Sequence, residues 1–254
     1  MIDDIGSFDN RESLENHMKN DNLLCQMDCF KGVGNDSLNL LWKKGKVVTY
    51  KKNQTIFRAK ETVQNIYVLL SGKTIIYNLT HAGKRKILFI FGKGTLLNEH
   101  VFDDHVTSFY CEAIENCTVF VIQMEVFMEC MKKDFLLIKS VLNAQERKMW
   151  RLGHQLKNTV GSIYMERKLA AKLWKLARDF GIERPEGIEI DINMTITFLA
   201  DMLGAPRETT SKTCKALSDY GLISMKKKRI TIVDPARVSH FYKTGEIQQK
   251  KNDK

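Results

Sequence analysis

ITFLADMLGAPRETTSKTCKALSDYGLIS, residues 196–224, is the stretch that decides the fold. At about 100° per residue, Arg207, Glu208, Ser211, Lys212 and Lys215 fall within an arc of about 140° on one helix. Thr210, Thr213, Cys214 and Leu217 take the opposite arc. Upstream, Phe198, Leu199, Met202 and Leu203 supply an apolar surface, and small Ala200 lets a second helix approach. Gly204 stands between the two helices, where a left-handed backbone or a tight crossing favours glycine. The stretch reads as a helix-turn-helix whose second helix would turn its charged arc to a major groove. A surface hairpin of two helices shares this pattern, so the rest of the chain must decide.

Working outward, LISMKKKRITIVD (222–234) places two β-like runs around Lys226, Lys227 and Lys228. That is a hairpin, or wing, with a basic tip suited to phosphate contacts, which position a protein on a duplex. Upstream, MERKLAAKLWKLARDFG (165–181) is an amphipathic helix with Leu169, Leu173, Leu176 and Ala177 as its buried stripe and Gly181 at its end. IEIDI (188–192) is a plausible strand, and Asn158–Ser162 reads as a break.

Before that break, Phe135, Ile138, Leu142, Gln145, Met149, Leu152 and Leu156 recur in alternating steps of three and four residues. A heptad seam flanked by Lys139, Glu146, Arg147, Lys148 and Arg151 favours a symmetric dimerisation helix over one packed only on its own domain. Earlier still, VVTY (47–50), TIF (55–57), NIYVLLSG (65–72), TIIYNL (74–79), KILFIF (86–91) and CTVFVI (117–122) are short β-branched and aromatic runs. Turn residues separate them, as at Ser71-Gly72, His81-Ala82-Gly83 and Gly92-Lys93-Gly94. The expectation is an α+β chain: an N-terminal arm (1–34), a jelly-roll β-barrel (35–130), a long dimerisation helix (131–160), a winged helix-turn-helix (161–243) and a disordered tail (244–254).

Composition fits a nucleic-acid partner. The 254 residues carry a formal net charge of +10, and residues 161–254 hold 18 Lys and Arg against 12 Asp and Glu, a net +6. A dense positive patch suits a polyanion. The opening MIDDIGSFDNRE is polar and acidic, unlike a signal or transit peptide, and no apolar run approaches the roughly 18 residues that span a bilayer. A cytoplasmic protein without a membrane partner is expected, its six cysteines mostly reduced thiols. No nucleophile elbow, phosphate loop or zinc-protease motif is present, so an enzyme has no residues to rest on.

The order barrel, long helix, winged helix-turn-helix resembles the CRP/FNR transcription regulators. The residues that carry the resemblance are NIYVLLSGKTIIY (65–77), GKGTLLNE (92–99), ERKLAAKLWKLA (166–177) and FLADMLGAPRETTSKTCKALSDYGLIS (198–224). It implies a homodimer on a palindromic operator of double-stranded DNA, contact with RNA polymerase, and control by a small-molecule effector sensed in the barrel. The family's Arg-Glu-Thr-x-x-Arg aligns with Arg207, Glu208, Thr209 and Lys212, with Ser211 and Lys215 beside them and Lys226, Lys227 and Lys228 on the wing. The resemblance implies that Arg207 reads a guanine edge and Glu208 a cytosine amine, which their hydrogen-bonding groups allow. Lys212 lacks the planar fork of arginine. Pro206 replaces a hydroxyl residue and is acceptable in a first helical turn; Thr210 stands where the family buries valine.

The barrel departs further. In the family's nucleotide cassette a Gly-Glu is followed by an Arg that pairs with the cyclic phosphate; LNEHVFDDHVTSFYCEA (97–113) keeps Glu99 but has Asn98 for the glycine and Thr107 for the arginine. A phosphate buried there without a cation would be costly, so the expected effector is something other than cyclic AMP. Leu96, Leu97, Glu99, Thr107, Ser108, Phe109 and Tyr110 are the candidate pocket, able to suit an aromatic compound, although Leu96 and Leu97 also read as barrel core. No haem, iron-sulfur or metal site is strongly indicated, and the cofactor is left unknown. Cys25 and Cys29, separated by three residues, keep a thiol switch open if exposed and acidic, and a four-thiolate cluster would need two of Cys111, Cys117 and Cys130 as well. His100 and His105 around Asp103 and Asp104 read as an ordinary solvated loop. The alternative of another class is a ligand-binding regulatory subunit of a larger assembly, without DNA binding.

Overall fold

The computed structural model describes residues 23–102, 106–157 and 164–247. The segments expected as a break (158–162) and most of the tail (248–254), together with Asp103, Asp104, His105 and residues 1–22 of the arm, lie outside the described residues. The chain divides into two compact units, residues up to 76 with 89–148, and 77–88 with 149 onward.

The first unit opens with two 3₁₀ turns, Leu23–Gln26 and Asp28–Phe30, followed by helix α1 (Asn35–Lys44). Residues 23–34, grouped above with an arm, instead enter the core: Leu24, Met27, Phe30 and Val33 are buried. The reason is apolar spacing, which lets a tight turn bury one side in the way a helix does. Strands β1 (Lys46–Tyr50), β2 (Thr55–Phe57), β3 (Asn65–Ser71), β4 (Thr74–Leu79), β5 (Arg85–Phe91), β6 (Thr95–Leu96), β7 (Tyr110–Ala113) and β8 (Cys117–Gln123) follow. They make two four-stranded sheets, ordered β1-β8-β3-β6 and β2-β7-β4-β5, as a jelly-roll barrel requires. β3 pairs antiparallel with β8, Ile66 opposite Ile122 and Val68 opposite Phe120, so that paired β-branched and aromatic side chains join one core.

Helix α2 (Met124–Lys133) and helix α3 (Phe135–Lys157) are separate, so the long helix starts at Phe135, not at residue 131. Asp134 makes the break. Its carboxylate accepts from the amides of Leu136 (2.9 Å) and Leu137 (3.3 Å), capping the new helix, and from Gly34 (3.1 Å), ahead of α1. Leu137, Val141 and Ala144 are the face of α3 buried in the core, with Ile138 packed at its edge. Phe135, Leu142, Met149, Leu152 and Leu156 stay exposed in the single chain.

In the second unit, helix α4 (Met165–Phe180) buries Leu169, Leu173, Leu176 and Ala177, the stripe read from its spacing. β9 (Gly181–Arg184) and β10 (Gly187–Ile190) form a hairpin that leads into helices α5 (Ile196–Leu203) and α6 (Arg207–Asp219). β11 (Ile223–Lys226), β12 (Arg229–Ile232) and helix α7 (Pro235–Thr244) complete it, and the third four-stranded sheet runs β11-β12-β10-β9. Two elements escape the sequence reading. β9 has a single apolar residue in Gly-Ile-Glu-Arg and is held by pairing with β10. α7 is announced by Asp234-Pro235: the Asp234 carboxylate accepts from the amides of Ala236 (2.8 Å) and Arg237 (3.1 Å), with proline at the first helical position. Thr244, expected in a disordered tail, closes this helix, and the Arg167 guanidinium binds the terminal carbonyls of Tyr242 (3.1 Å) and Lys243.

Candidate nucleic-acid interface and barrel pocket

The helix-turn-helix is built as its sequence dictates. Thr195 caps α5 by accepting the amide hydrogen of Phe198 at 3.1 Å. Gly204 ends it in the left-handed conformation (φ 69°, ψ 39°), its amide donating to the Ala200 carbonyl. Pro206 sits one residue ahead of α6 with extended backbone (φ −59°, ψ 146°), not within the first helical turn. Thr210, Thr213, Cys214 and Leu217 are buried. The hydroxyl that stands where valine was expected is satisfied, since Thr210 donates to the Pro206 carbonyl at 3.0 Å; Thr213 does the same to Thr209 at 2.9 Å. Burial of a threonine is tolerable when its hydroxyl is paired.

On the other face, Arg207, Glu208, Thr209, Ser211, Lys212 and Lys215 are all exposed. The side chains of Arg207, Glu208, Lys212 and Lys215 make no hydrogen bond or ion pair with another described residue. They are the charged arc of the sequence reading, and it points outward.

The wing is a two-residue hairpin. Lys226 pairs with Arg229, leaving Lys227 (φ 47°) and Lys228 (φ 68°) as a left-handed turn. Such a turn matches the twist of the strands but normally takes Asn-Gly. Lys226, Lys227 and Lys228 are exposed. Arg229 anchors the base by donating to Asp191 at 2.6 Å, and the Lys228 carbonyl accepts from the Met194 amide at 2.8 Å.

Two of the candidate effector residues, Glu99 and Thr107, meet at a small cavity in the barrel. A cavity of about 10 Å³ is lined by Phe57, Val63, Asn98, Glu99, His100 and Thr107. Of the candidate residues only Glu99 and Thr107 line it. Leu96 and Leu97 are buried core, and Ser108 is exposed but turns its amide to Glu99. Phe109 and Tyr110, half-buried, do not contribute to the lining. A volume this small holds a single water molecule at most.

Polar bonds fill that place. The Glu99 carboxylate Oε2 accepts from the Thr107 hydroxyl at 3.0 Å and from the Ser108 amide at 2.9 Å, and His100 Nε2 lies 3.4 Å from Oε1. Asn98, standing for a glycine, is buried and bridges to β3: its side chain accepts from the Tyr67 amide at 2.7 Å and donates to the Asn65 carbonyl at 2.8 Å. From α3, Lys148 Nζ donates to the Asn98 carbonyl at 2.6 Å, while the Gln145 amide reaches the carbonyls of Asn98 and Glu99, each at 3.3 Å. Gln145, assigned above to the dimer seam, therefore bonds within its own chain. Burial pushes the Lys148 ammonium down to about 8, opposed by the neighbouring Cys111, Cys29 and Glu99.

The thiols divide. Cys25 is exposed; Cys29, Cys111, Cys117, Cys130 and Cys214 are buried. Burial pushes the Cys29 thiol up to about 12, so it does not meet the exposed, acidic condition for a thiol switch. Among the described residues no three of His, Cys, Asp and Glu converge as metal ligands, and no helix is long and apolar enough to cross a membrane.

A winged helix-turn-helix with a solvent-facing charged helix, carried on one chain with a jelly-roll barrel, defines a two-domain DNA-binding regulator. The profile of the cyclic nucleotide-binding domain matches residues 47–134, and that of the Crp-like helix-turn-helix domain residues 167–241. The chain belongs to the CRP/FNR family of transcription regulators. It is 22% identical over 220 residues to a CRP-like cAMP-activated global transcriptional regulator of Mycobacterium tuberculosis, covering 86% of this chain and 98% of that protein. It is 24% identical over 231 residues to the global nitrogen regulator of Synechococcus elongatus, covering 89% and 99%. Among solved structures, FixK2 from Bradyrhizobium japonicum superposes with a TM-score of 0.68 at 17% identity, over 77% of this chain and 96% of that one.

Proposed function

We propose that this chain is a sequence-specific transcription regulator that binds a palindromic operator as a homodimer, with α6 as the recognition helix and the barrel as the regulatory domain. The observation that carries this reading is the outward arc of Arg207, Glu208, Lys212 and Lys215, unpaired with any described residue on a helix whose other face is buried. Arg207 would read guanine bidentately and Glu208 would accept from a cytosine amine, while Lys226, Lys227 and Lys228 hold phosphates. The exposed apolar residues of α3, Phe135, Leu142, Met149 and Leu152 among them, support a partner helix, because contiguous apolar surface of this kind marks an interface. A two-fold dimer would set its recognition helices roughly 34 Å apart, one turn of DNA. In such regulators RNA polymerase would be the further partner.

Selection from a random duplex library tests this. The expected result is enrichment of an inverted repeat, with Arg207→Ala losing about 1–3 kcal/mol and relaxing the preference at one base pair of each half-site. Enrichment of no repeat, or an unaltered preference in Arg207→Ala, would sink the assignment.

A further inference from the structure

We infer that Glu99 is the barrel's own anionic occupant: its carboxylate takes the donors that the pocket offers, so that operator binding does not wait for a small anion there. The inference rests on the DNA-binding reading above and concerns what controls it.

Three observations converge. Two donors of the 107–108 segment, the Thr107 hydroxyl and the Ser108 amide, both bond to Oε2 of Glu99. The space left is about 10 Å³. An incoming phosphate or carboxylate would have to break both bonds and then lie against the displaced Glu99 carboxylate, where like charges repel strongly because the surroundings are partly desolvated. Thr107 brings no positive charge to offset that repulsion.

The occupant is also wired to the rest of the barrel. The backbone of Thr107 is fixed on both sides, its amide donating to Glu61 at 3.1 Å and its carbonyl accepting from Lys60 at 2.8 Å. The backbone of Asn98 and Glu99 is held from α3 by Gln145 and Lys148. The Glu99 carboxylate thus joins two segments of the barrel, one of which is bonded to the helix that carries the exposed apolar stripe. A built-in ligand of this kind holds one conformation without the population shift that a diffusible effector would have to supply.

The test uses the extensively dialysed full chain and two variants. In the wild type, the Ser108 amide is expected to exchange slowly with deuterium. The selected duplex should bind without any additive, and neither millimolar cyclic AMP nor inorganic phosphate should alter that affinity or the melting temperature. Glu99→Ala is expected to release Ser108 to fast exchange and to weaken operator binding about tenfold, within the usual range of coupling between sites. Glu99→Gln, which keeps an acceptor oxygen and the shape, should stay close to wild type and guards against simple misfolding. A rise in affinity or melting temperature with cyclic AMP or phosphate would overturn the inference, as would wild-type affinity in Glu99→Ala. If the wild type selects no duplex, the DNA-binding reading fails by itself; Ser108 exchange and the ligand arms still decide whether Glu99 is the occupant.

Discussion

Lys148 reaches from the middle of α3 to the backbone of Asn98, its ammonium donating to the carbonyl oxygen at 2.6 Å. Burial holds that ammonium near 8, well below the ordinary 10.5. A lowered lysine value means that the folded chain carries an unfavourable buried charge at neutral pH. The penalty is present in full below about pH 8 and fades as pH climbs towards 10.5, where the unfolded chain also loses its proton. Stability therefore gains from this residue as pH rises through that window. Lys172 of α4, also lowered to about 8 by burial and by neighbouring lysines, contributes in the same direction. Urea midpoints at pH 7, 8, 9 and 10 should show Lys148→Met with a shallower rise than wild type. Parallel curves would mean that Lys148 keeps its ordinary value.

Asp134 gives the opposite sign. Burial alone would raise its carboxyl, but hydrogen bonds from the Ser37 side chain and the amides of Gly34, Leu136 and Leu137 outweigh this and hold it below the usual 3.8. Its contribution is present above that ordinary value and is lost as pH falls through the lowered one. Asp134→Ala should cost about 1 kcal/mol at pH 7, the usual loss when a helix-capping side chain is removed. The difference from wild type should shrink as pH falls below the ordinary 3.8. A difference that persists unchanged in acid would remove the carboxylate from the argument.

The outward stripe of α3 makes a further prediction. Met149 is 68% exposed and Leu142 47% in the single chain. Charging both, as Leu142→Glu with Met149→Glu, removes little internal packing and should leave the monomer folded. In a partner interface the same change would bury unpaired carboxylates at a large cost. Sedimentation equilibrium is expected to show a dimer for wild type and a folded monomer for the variant, with operator affinity falling at least tenfold because the two half-sites are no longer bound together. A variant that still dimerises at the wild-type concentration would place the interface elsewhere.

The parts of the molecule that follow from local periodicity were legible in the sequence. The 3.6-residue pattern of 207–217 separates Thr210, Thr213, Cys214 and Leu217 from the charged arc, and burial divides them in the same way. The strand runs of 47–122 were readable for the same reason. The pocket was not, because its residues meet only through the fold: Asn98 serves as a strut between Asn65 and Tyr67, more than 30 positions away. Gln145 looked like the polar position of a heptad, and only the meeting of α3 with the 98–99 segment shows its bonds to those carbonyls. Lys148 read as a flanking charge, although its apolar stem lets the ammonium reach an inward carbonyl. The Asp234-Pro235 start of α7 is a capping signal visible in the sequence itself.

The wing sets stability against binding. Lys227 and Lys228 both lie in the left-handed region, at φ 47° and 68°, where a side chain costs of order 1 kcal/mol per residue relative to glycine. Asn-Gly is the pair that this two-residue turn favours. Replacing Lys227 with Asn and Lys228 with Gly keeps the bond from the Met194 amide to the carbonyl of residue 228, because that bond uses backbone alone. The double variant should therefore melt a few degrees higher than wild type. If the two ammoniums on each protomer hold phosphates, the dimer should also bind DNA more weakly, with the slope of log K against log salt reduced by about 4 and the ranking of operator sequences unchanged. Lysines kept at strained positions for their charge would show both effects together. A higher melting temperature with an unaltered salt slope would separate the wing from the DNA and leave α6 to carry binding alone.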